Sequence, residues 1–279
     1  MDRVAMVTGS TDGIGRATAL ELSKRDFTVH LLGRNEERGR ETLGQLKEIS
    51  PERPHRLFLT DLASMRENRR FLEAYIKCNS KLDLLILNAN AMKRKTKITE
   101  DQVETTFAVG CLSRYMYAVM LNPLLKMAEG SRVIHIGDAR HIAALDYTAI
   151  TGRGFGIFKA THQSYGGDAL LAYWFNKSGM TEVPHEIVTP GVVNTGQLRV
   201  VGFLPRRLLH LFGVIEPDEC GRRLVEHALS RDATEVAGRF FHLEQEKKVS
   251  RKLVNGHPQF VELLAFCEKV TGVEASQLM

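Results

Sequence analysis

The sequence predicts a doubly wound α/β fold, in which helices cover both faces of a parallel sheet. Three observations predict it: apolar runs alternate with amphipathic stretches, a glycine-rich turn joins the first strand to the first helix, and the spacing between strands suits right-handed crossovers. The 279 residues, 43% of them hydrophobic, can form one sizeable core, and no linker divides them. We therefore expect a single domain over residues 1–279.

The elements of the first half follow from short apolar runs that end in turn or capping residues. The first predicted strand starts at Arg3. The next four cover residues 27–32, 56–60, 82–88 and 132–136. The first predicted helix follows the glycine turn that ends at Gly15, and the next two cover residues 35–49 and 64–78. A capping-box pattern at Thr99 predicts the start of a long helix that runs to about Met127.

The second half is less regular. A glycine-rich loop is predicted over about 139–161, followed by a helix over 164–176 and a short strand over 186–189. The apolar stretch 200–215 precedes a helix from Glu216 to about Ser230. Residues 238–242 are predicted as the last strand and 259–270 as a closing helix.

The turn after the first strand is built for an anion. Glycines stand at 9, 13 and 15, in the spacing G-x-x-x-G-x-G, with Thr8 before them. Glycine has no Cβ and accepts positive φ, so the turn can be tight and a diphosphate can approach its backbone. The N–H groups and positive dipole end of the following helix would face that anion.

The residue after the second strand bears on the choice between two dinucleotides. A site specific for NAD would need a carboxylate there for the ribose 2′-hydroxyl, but this chain has Gly33 and then Arg34. A guanidinium suits a 2′-phosphate. The sequence therefore favours NADP(H) over NAD(H), the alternative being that Arg34 only covers the helix surface.

Ligands of open parallel sheets bind beyond the carboxyl ends of the strands. The residues at those ends should converge on one crevice; they are Gly9 to Gly15, Gly33-Arg34, Asp61-Leu62, Asn88-Ala89-Asn90, Gly137-Asp138 and Pro190-Gly191.

These motifs resemble those of the short-chain dehydrogenase/reductase family, whose signature is Thr-Gly-x-x-x-Gly-x-Gly. The resemblance extends over nearly the whole chain. The resemblance implies a Rossmann-type fold and hydride transfer with a nicotinamide cofactor. The cofactor-binding positions that it implies are Thr8, Gly9, Ser10, Thr11, Asp12, Gly13, Ile14, Gly15, Arg34, Asp61, Leu62, Asn88, Ala89, Pro190, Gly191, Val193 and Thr195.

Several segments look most like the retinol-dehydrogenase branch of that family, among them Glu216-Pro217-Asp218-Glu219 and Gly238-Arg239-Phe240-Phe241. That branch acts on lipophilic alcohols and carbonyls. The resemblance thus implies a retinoid-, steroid- or lipid-like substrate, and it would make residues 200–215 an apolar lid. A plain surface helix at 200–215 is the alternative.

The catalytic positions depart from the family pattern, which has a tyrosine as acid and base, a lysine, a serine and an asparagine. Asp138 stands at the serine position and Gly110 at the asparagine position. The resemblance favours Tyr165 as the tyrosine, which leaves Ala169 at the lysine position. The rival reading takes Tyr173 and Lys177, which spell Tyr-x-x-x-Lys but lie close to Pro190.

Composition limits the metals, partners and cellular settings that we expect for this protein. The four cysteines stand far apart and no histidine has ligand spacing, so we expect reduced thiols, no metal and a cytoplasmic setting. The net charge of +5 is spread along the chain, and neither a nucleic-acid partner nor a transmembrane segment is expected. A homodimer and peripheral membrane contact through the lid are left open.

Two functions are compatible with these observations. The first is an NADP(H)-dependent oxidoreductase of a lipophilic carbonyl or alcohol, working through Tyr165 or through Tyr173 with Lys177. The second is an NADP(H)-binding relative with little or no turnover that acts as a binding or regulatory protein. The glycine turn and Arg34 support both, and the replaced catalytic positions support the second.

Overall fold

The computed structural model describes residues 3–92, 97–138, 144–152, 156–196 and 213–278. The strands of this part are β1 (Arg3–Thr8), β2 (Phe27–Gly33), β3 (Arg56–Leu59), β4 (Leu84–Leu87), β5 (Arg132–Ile136), β6 (His185–Thr189), β7 (Phe240–His242) and β8 (Gln245–Lys247).

The helices fall between them. They are α1 (Gly13–Lys24), α2 (Glu36–Ile49), α3 (Met65–Cys78), α4 (Thr105–Phe107), a π-helical turn (Ala108–Leu112), α5 (Ser113–Met120), α6 (Asn122–Lys126), α7 (Tyr147–Thr151), α8 (Ile157–Lys177), α9 (Pro217–Ser230), α10 (Arg251–Val254) and α11 (His257–Thr271). Short 3₁₀ turns cover Thr234–Val236 and Ala275–Leu278.

The described strands form one sheet in the order β3-β2-β1-β4-β5-β6-β7-β8. All neighbouring pairs from β3 to β7 are parallel, and β8 returns antiparallel to β7. The predicted doubly wound α/β fold is confirmed. Because the chain runs outward from β1 in one direction and from β4 in the other, a crevice opens between the carboxyl ends of these two strands.

Helices bury the sheet on both faces, as the nearly continuous apolar runs of its strands require. On one face α1, α2 and α9 pack over residues such as Val7 and Val29. On the other, α3, α5, α8 and α11 pack over residues such as Met6 and Leu85. Gly221 of α9 lies so close to α1 that a Cβ on it would stand 2.6 Å from the carbonyl carbon of Ala17. This contact fixes α9 against the helix that begins at the glycine turn.

The predicted long helix from Thr99 to about Met127 is wrong in its start and its continuity. Thr99 instead closes a loop, in which its N–H donates to the Val103 carbonyl at 2.8 Å. The helix begins at Thr105, because the Glu104 carboxylate accepts the N–H groups of Thr106 and Phe107. It passes through the π-helical turn and is interrupted before Pro123, which has no N–H to continue it.

Three more boundaries differ from the prediction. The predicted loop over 139–161 contains α7, capped by Asp146, whose carboxylate accepts the N–H of Ala149 at 3.0 Å. Helix α8 begins at Ile157 and not at Ser164, because the glycine-rich loop ends at Gly156, directly before the helix. Strand β8 was not predicted, since Gln245–Lys247 is exposed along its whole length and has no apolar pattern.

Residues 200–212 of the proposed lid lie outside the described residues. Of the helices in the described ranges, none is long and apolar enough to cross a membrane.

Candidate functional site

The glycine turn between β1 and α1 forms the floor of the crevice. Gly9 and Gly13 have φ of 65° and 53°, which disfavour a side chain. A Cβ on Gly15 would stand 2.3 Å from the Gly9 carbonyl oxygen, so the first turn of α1 folds directly against the loop. The Asp12 carboxylate caps the helix by accepting the Gly13 N–H at 2.8 Å. The turn thus offers backbone and a helix N-terminus to an anion.

Polar side chains lock this turn to the neighbouring strand ends. The Thr8 hydroxyl oxygen accepts the N–H groups of Asn88 and Ala89, both at 3.0 Å, and the Asn88 amide donates back to the Thr8 carbonyl at 3.0 Å. The Ser10 hydroxyl accepts the Leu32 N–H at 2.9 Å. Thr8 and Ser10 are buried, so they do not line the crevice but fix the position of the turn through these hydrogen bonds.

Arg34 stands at the end of β2, where the crevice opens to solvent. Gly33 before it has no room for a side chain, because a Cβ would lie 2.6 Å from Thr11 Cγ2. The neighbouring exposed Arg38 is paired with Asp12 at 2.7 Å. Arg34 is exposed and takes part in none of the ion pairs formed among the described residues, so its guanidinium is available to a bound anion.

The crevice has a volume of about 580 Å³, within the usual range for a small-molecule site. The predicted residues that line it are Gly9, Thr11, Asp12, Gly13, Ile14, Arg34, Asp61, Leu62, Asn88, Ala89, Tyr165, Pro190, Gly191, Val193 and Thr195. Further lining residues that the prediction did not assign to the site include Thr60, Met92, Val109, Ile136 and Val192. The predicted residues outside this lining are Thr8, Ser10, Gly15, Asp138, Tyr173 and Lys177.

The loop after β6 closes the crevice from the opposite side. Gly191 has φ of 75°, and Val193 forms a parallel bridge with Ile215, just before α9. Thr195 then reaches across the crevice, where its Cγ2 lies 3.2 Å from the position of a Cβ on Gly13. Residues from the two halves of the chain are thereby brought together over the N-terminus of α1.

The two candidate tyrosines lie towards opposite ends of the strands, although both are on α8. Tyr165 packs against Gly137, directly beyond the carboxyl end of β5, and lines the crevice. Lys177 lies against Gly238, which precedes the amino end of β7, and its Nζ is 6.0 Å from the centre of the Tyr173 ring. Tyr173 is buried against Trp174. The pair of Tyr173 and Lys177 therefore does not face the glycine turn.

The surroundings of Tyr165 keep its phenol protonated. Burial raises the pKa of the Tyr165 hydroxyl above its ordinary value. The Arg114 guanidinium and Asn90 act in the opposite direction, while the carboxylates of Asp138 and Asp168 raise the pKa further. A phenol in this state donates a proton or a hydrogen bond but is a poor base.

Behind Tyr165 lies a buried charged network that the sequence analysis missed. Arg114 on α5 forms an ion pair with Asp168 on α8, and His135 Nδ1 is 2.7 Å from the other carboxylate oxygen of Asp168. Burial alone would raise the pKa of Asp168, but the charge of Arg114 and the contact with His135 outweigh it and lower the pKa. An arginine within an otherwise apolar helical stretch was the signal available in the sequence.

No cluster of metal-ligating side chains occurs within the described ranges. The four cysteines are free thiols; Cys78 is exposed, and Cys111, Cys220 and Cys267 are buried. Burial raises the pKa of the Cys220 thiol to about 12, so this thiol stays protonated.

Comparison with known proteins identifies the family. A family model described as short chain dehydrogenase matches residues 3–141. Polyprenol dehydrogenase of Mus musculus is 32% identical over 257 residues, which cover 88% of this chain and 76% of that protein. The chain belongs to the short-chain dehydrogenase family. The Homo sapiens polyprenol dehydrogenase is 29% identical, covering 88% of this chain and 78% of that one.

A retinol dehydrogenase is among the similar proteins, in agreement with the predicted branch of the family. Retinol dehydrogenase 13 of Mus musculus is 33% identical over 141 residues, which cover 50% of this chain and 42% of that protein. The predicted membership of the family, nearest its retinol-dehydrogenase branch, is confirmed.

Solved structures share the fold. A short chain dehydrogenase from Shigella flexneri complexed with NADP superposes with a TM-score of 0.69 at 19% identity, covering 87% of this chain and 97% of that one. A protein from Mycobacterium paratuberculosis superposes with a TM-score of 0.72 at 21% identity, covering 98% of this chain and 94% of that one.

Proposed function

We propose that this short-chain dehydrogenase is an NADP(H)-dependent oxidoreductase that reduces a lipophilic carbonyl compound, with Tyr165 as the proton donor and residues 1–279 as one domain. The observation that carries the proposal is that Tyr165, the glycine turn and Arg34 line one crevice. A dinucleotide on the glycine turn and a substrate at the tyrosine would thereby be neighbours.

The residues of the crevice fit NADP(H). Gly9, Gly13 and Gly15 leave space for a diphosphate over the start of α1. The exposed guanidinium of Arg34 suits a 2′-phosphate, and Asp61 with Leu62 would hold the adenine. The Shigella relative, described with NADP, supports this choice of cofactor. When bound, the cofactor supplies or accepts the hydride.

The protein's own contribution is acid catalysis and positioning. The protonated Tyr165 hydroxyl would donate a hydrogen bond to the carbonyl oxygen and then its proton to the developing alkoxide. Solvent would return the proton to the phenolate. Asp138 at the serine position accepts hydrogen bonds and raises the pKa of Tyr165. The phenol therefore stays protonated and is a poor base, which disfavours alcohol oxidation more than carbonyl reduction.

A lipophilic substrate is supported by the lining and by the relatives. Met92, Val109 and Val192 add apolar surface to the crevice, and Val192 is 50% exposed at its mouth. Two relatives that match over 88% of this chain are named polyprenol dehydrogenases, so a long isoprenoid aldehyde or ketone is the first substrate class to test.

The second candidate is an NADP(H)-binding protein with little turnover. The observation that favours it is the buried Ala169, 1% exposed, at the position that the resemblance assigns to a lysine, together with Gly110 and Asp138. This chain would then bind the same cofactor and use it for regulation.

One experiment separates these functions. NADPH oxidation would be measured with isoprenoid aldehydes and ketones, retinal and a steroid ketone, for the parent, Tyr165→Phe and the matched control Tyr173→Phe. We expect turnover by the parent, a loss of about a hundredfold or more in Tyr165→Phe, and near-parental rates in Tyr173→Phe. NADPH binding without turnover on any substrate would support the second candidate, and equal rates in both variants would contradict the role of Tyr165.

A further inference from the structure

Arg114 and Asp168 form an ion pair that is shielded from solvent almost completely. Their side chains are 1% and 2% exposed, and Arg114 Nη1 donates directly to Asp168 Oδ2. Moving two charges out of water costs several kcal/mol per ion, and an apolar pair of similar size is often at least as stable. Stability alone is therefore a weak reason for this pair.

The guanidinium also joins the elements that build the crevice. Arg114 Nη2 donates to the carbonyl oxygen of Ala89 at 3.0 Å and to that of Ile136 at 2.9 Å. Ala89 follows β4, Ile136 ends β5, and both line the crevice. Asp168 brings in α8, the helix that carries Tyr165 three residues earlier. One side chain thus connects two strand ends with the helix of the proposed proton donor.

The pair lies directly beside Tyr165. A Cβ placed on Gly137 would stand 3.5 Å from Tyr165 Cδ1, 3.6 Å from Asp168 Oδ2 and 3.9 Å from Arg114 Nη1. All three side chains therefore meet around one point next to the crevice, and the absence of a side chain at Gly137 leaves the space between them open.

We propose that Arg114, held in place by Asp168, is the positioning residue of Tyr165 and supplies the positive charge that the lysine supplies in related dehydrogenases. This inference rests on the proposed function of Tyr165. When Tyr165 gives up its proton it becomes a phenolate close to Asp138 and Asp168, and the guanidinium offsets their charges. Ala169 leaves the lysine position apolar, so the cation approaches from α5 and not from α8.

His135 and His185 complete the support on the far side of Asp168. His135 Nδ1 is 2.7 Å from Asp168 Oδ1, and its Nε2 is 3.1 Å from His185 Nδ1. Burial, and then the neighbouring His135, lowers the pKa of His185, which therefore stays neutral. Asp168 is thus held from two sides, so the direction of the Arg114 guanidinium is fixed.

The test uses the double variant Arg114→Met with Asp168→Leu, which removes both charges and keeps the volume similar. Arg114→Lys is the charge-conserving variant. The matched control is Arg223→Met with Glu244→Leu, an ion pair at 2.5 Å that lies away from the crevice. A fluorinated tyrosine incorporated at position 165, with its ¹⁹F resonance followed against pH, reports the ionisation of that side chain without any substrate.

We expect the double variant to bind NADPH as the parent does, while the phenol at 165 titrates about one pH unit higher. Its kcat should fall about a hundredfold with little change in KM. Arg114→Lys should recover part of the lost kcat and part of the shift in the titration of residue 165. The variant of the control pair should change neither quantity. If the double variant does not fold, Arg114→Gln with Asp168→Asn, a neutral polar pair, replaces it with the same expected results.

An unchanged titration of residue 165 in a folded, NADPH-binding double variant would overturn the proposal. If the parent has no turnover at all, the proposed reaction fails while the ¹⁹F titration still decides the role of Arg114. The two failures are therefore distinguishable.

Discussion

Gly110 in the π-helical turn and Ser164 on α8 approach so closely that a Cβ on Gly110 would stand 2.1 Å from Ser164 Oγ. The Ser164 hydroxyl is fully buried and donates to the Thr106 carbonyl at 3.1 Å. At Gly110, the position that the resemblance assigns to an asparagine, this chain therefore has no room for a larger side chain. The space is filled by the helix that carries Tyr165.

This contact predicts that Gly110→Ala lowers the free energy of unfolding by about 1–3 kcal/mol, because the new methyl group overpacks a filled site. Removing the hydroxyl with Ser164→Ala leaves the Cβ of residue 164 at 3.4 Å from the new methyl group, so the double variant should lose less than the sum of the single variants. Urea unfolding of the four proteins measures this.

The control for that cycle is Gly44→Ala on α2, where a Cβ would have no neighbour within 4 Å. An exposed helical glycine replaced by alanine is expected to gain up to about 1 kcal/mol. A Gly110→Ala protein as stable as the parent would contradict the close packing of Ser164.

Arg34 predicts the cofactor preference. Arg34→Ala should weaken NADPH binding roughly ten- to a hundredfold, since a charge-assisted hydrogen bond contributes about 1.5–3 kcal/mol, and should leave NADH binding unchanged. Fluorescence titration with both dinucleotides measures the two affinities. Arg40→Ala is the control, because Arg40 is exposed on α2, the helix that follows Arg34, and is paired with Glu36 at 2.6 Å. Equal affinities of the parent for NADPH and NADH would remove the assignment of Arg34 to the 2′-phosphate.

His30 predicts a loss of stability in acid. It lies buried in β2, its Nδ1 is 2.6 Å from the Tyr75 hydroxyl, and burial, with the charge of Arg56, lowers its pKa from 6.5 to about 4. Between pH 6.5 and pH 4 the unfolded chain therefore binds more protons than the native state. The free energy of unfolding should fall as the pH falls through this window, by about 3 kcal/mol from this residue.

The measurement is urea unfolding at pH 7 and pH 4.5 for the parent and for His30→Gln, which cannot titrate. The difference between the two pH values should be smaller in His30→Gln by about 2–3 kcal/mol. His162→Gln, on the exposed side of α8, is the control. The same pH dependence in the parent and in His30→Gln would show that His30 does not carry this effect.

Much of the fold was predictable because its signals are local. The apolar run that becomes β1, the glycines at 9, 13 and 15 and the caps of α2 and α3 each act within a few residues. Their spacing fixes backbone angles and buried faces without reference to the rest of the chain. The failure at Thr99 has the complementary reason, since a capping pattern is equally compatible with a loop, and a pairing from Thr99 to Val103 decided between them.

The sequence by itself determined the doubly wound sheet, the anion-binding turn and the presence of Arg34 at the end of β2, because these depend on short-range periodicity and backbone geometry. Only the tertiary structure decided which tyrosine lines the crevice. Tyr165 and Tyr173 lie on one helix, and their distances from the glycine turn depend on how α8 crosses the sheet. The network of Arg114, Asp168 and His135 likewise joins three distant segments, and its members have no common pattern until packing removes them from water.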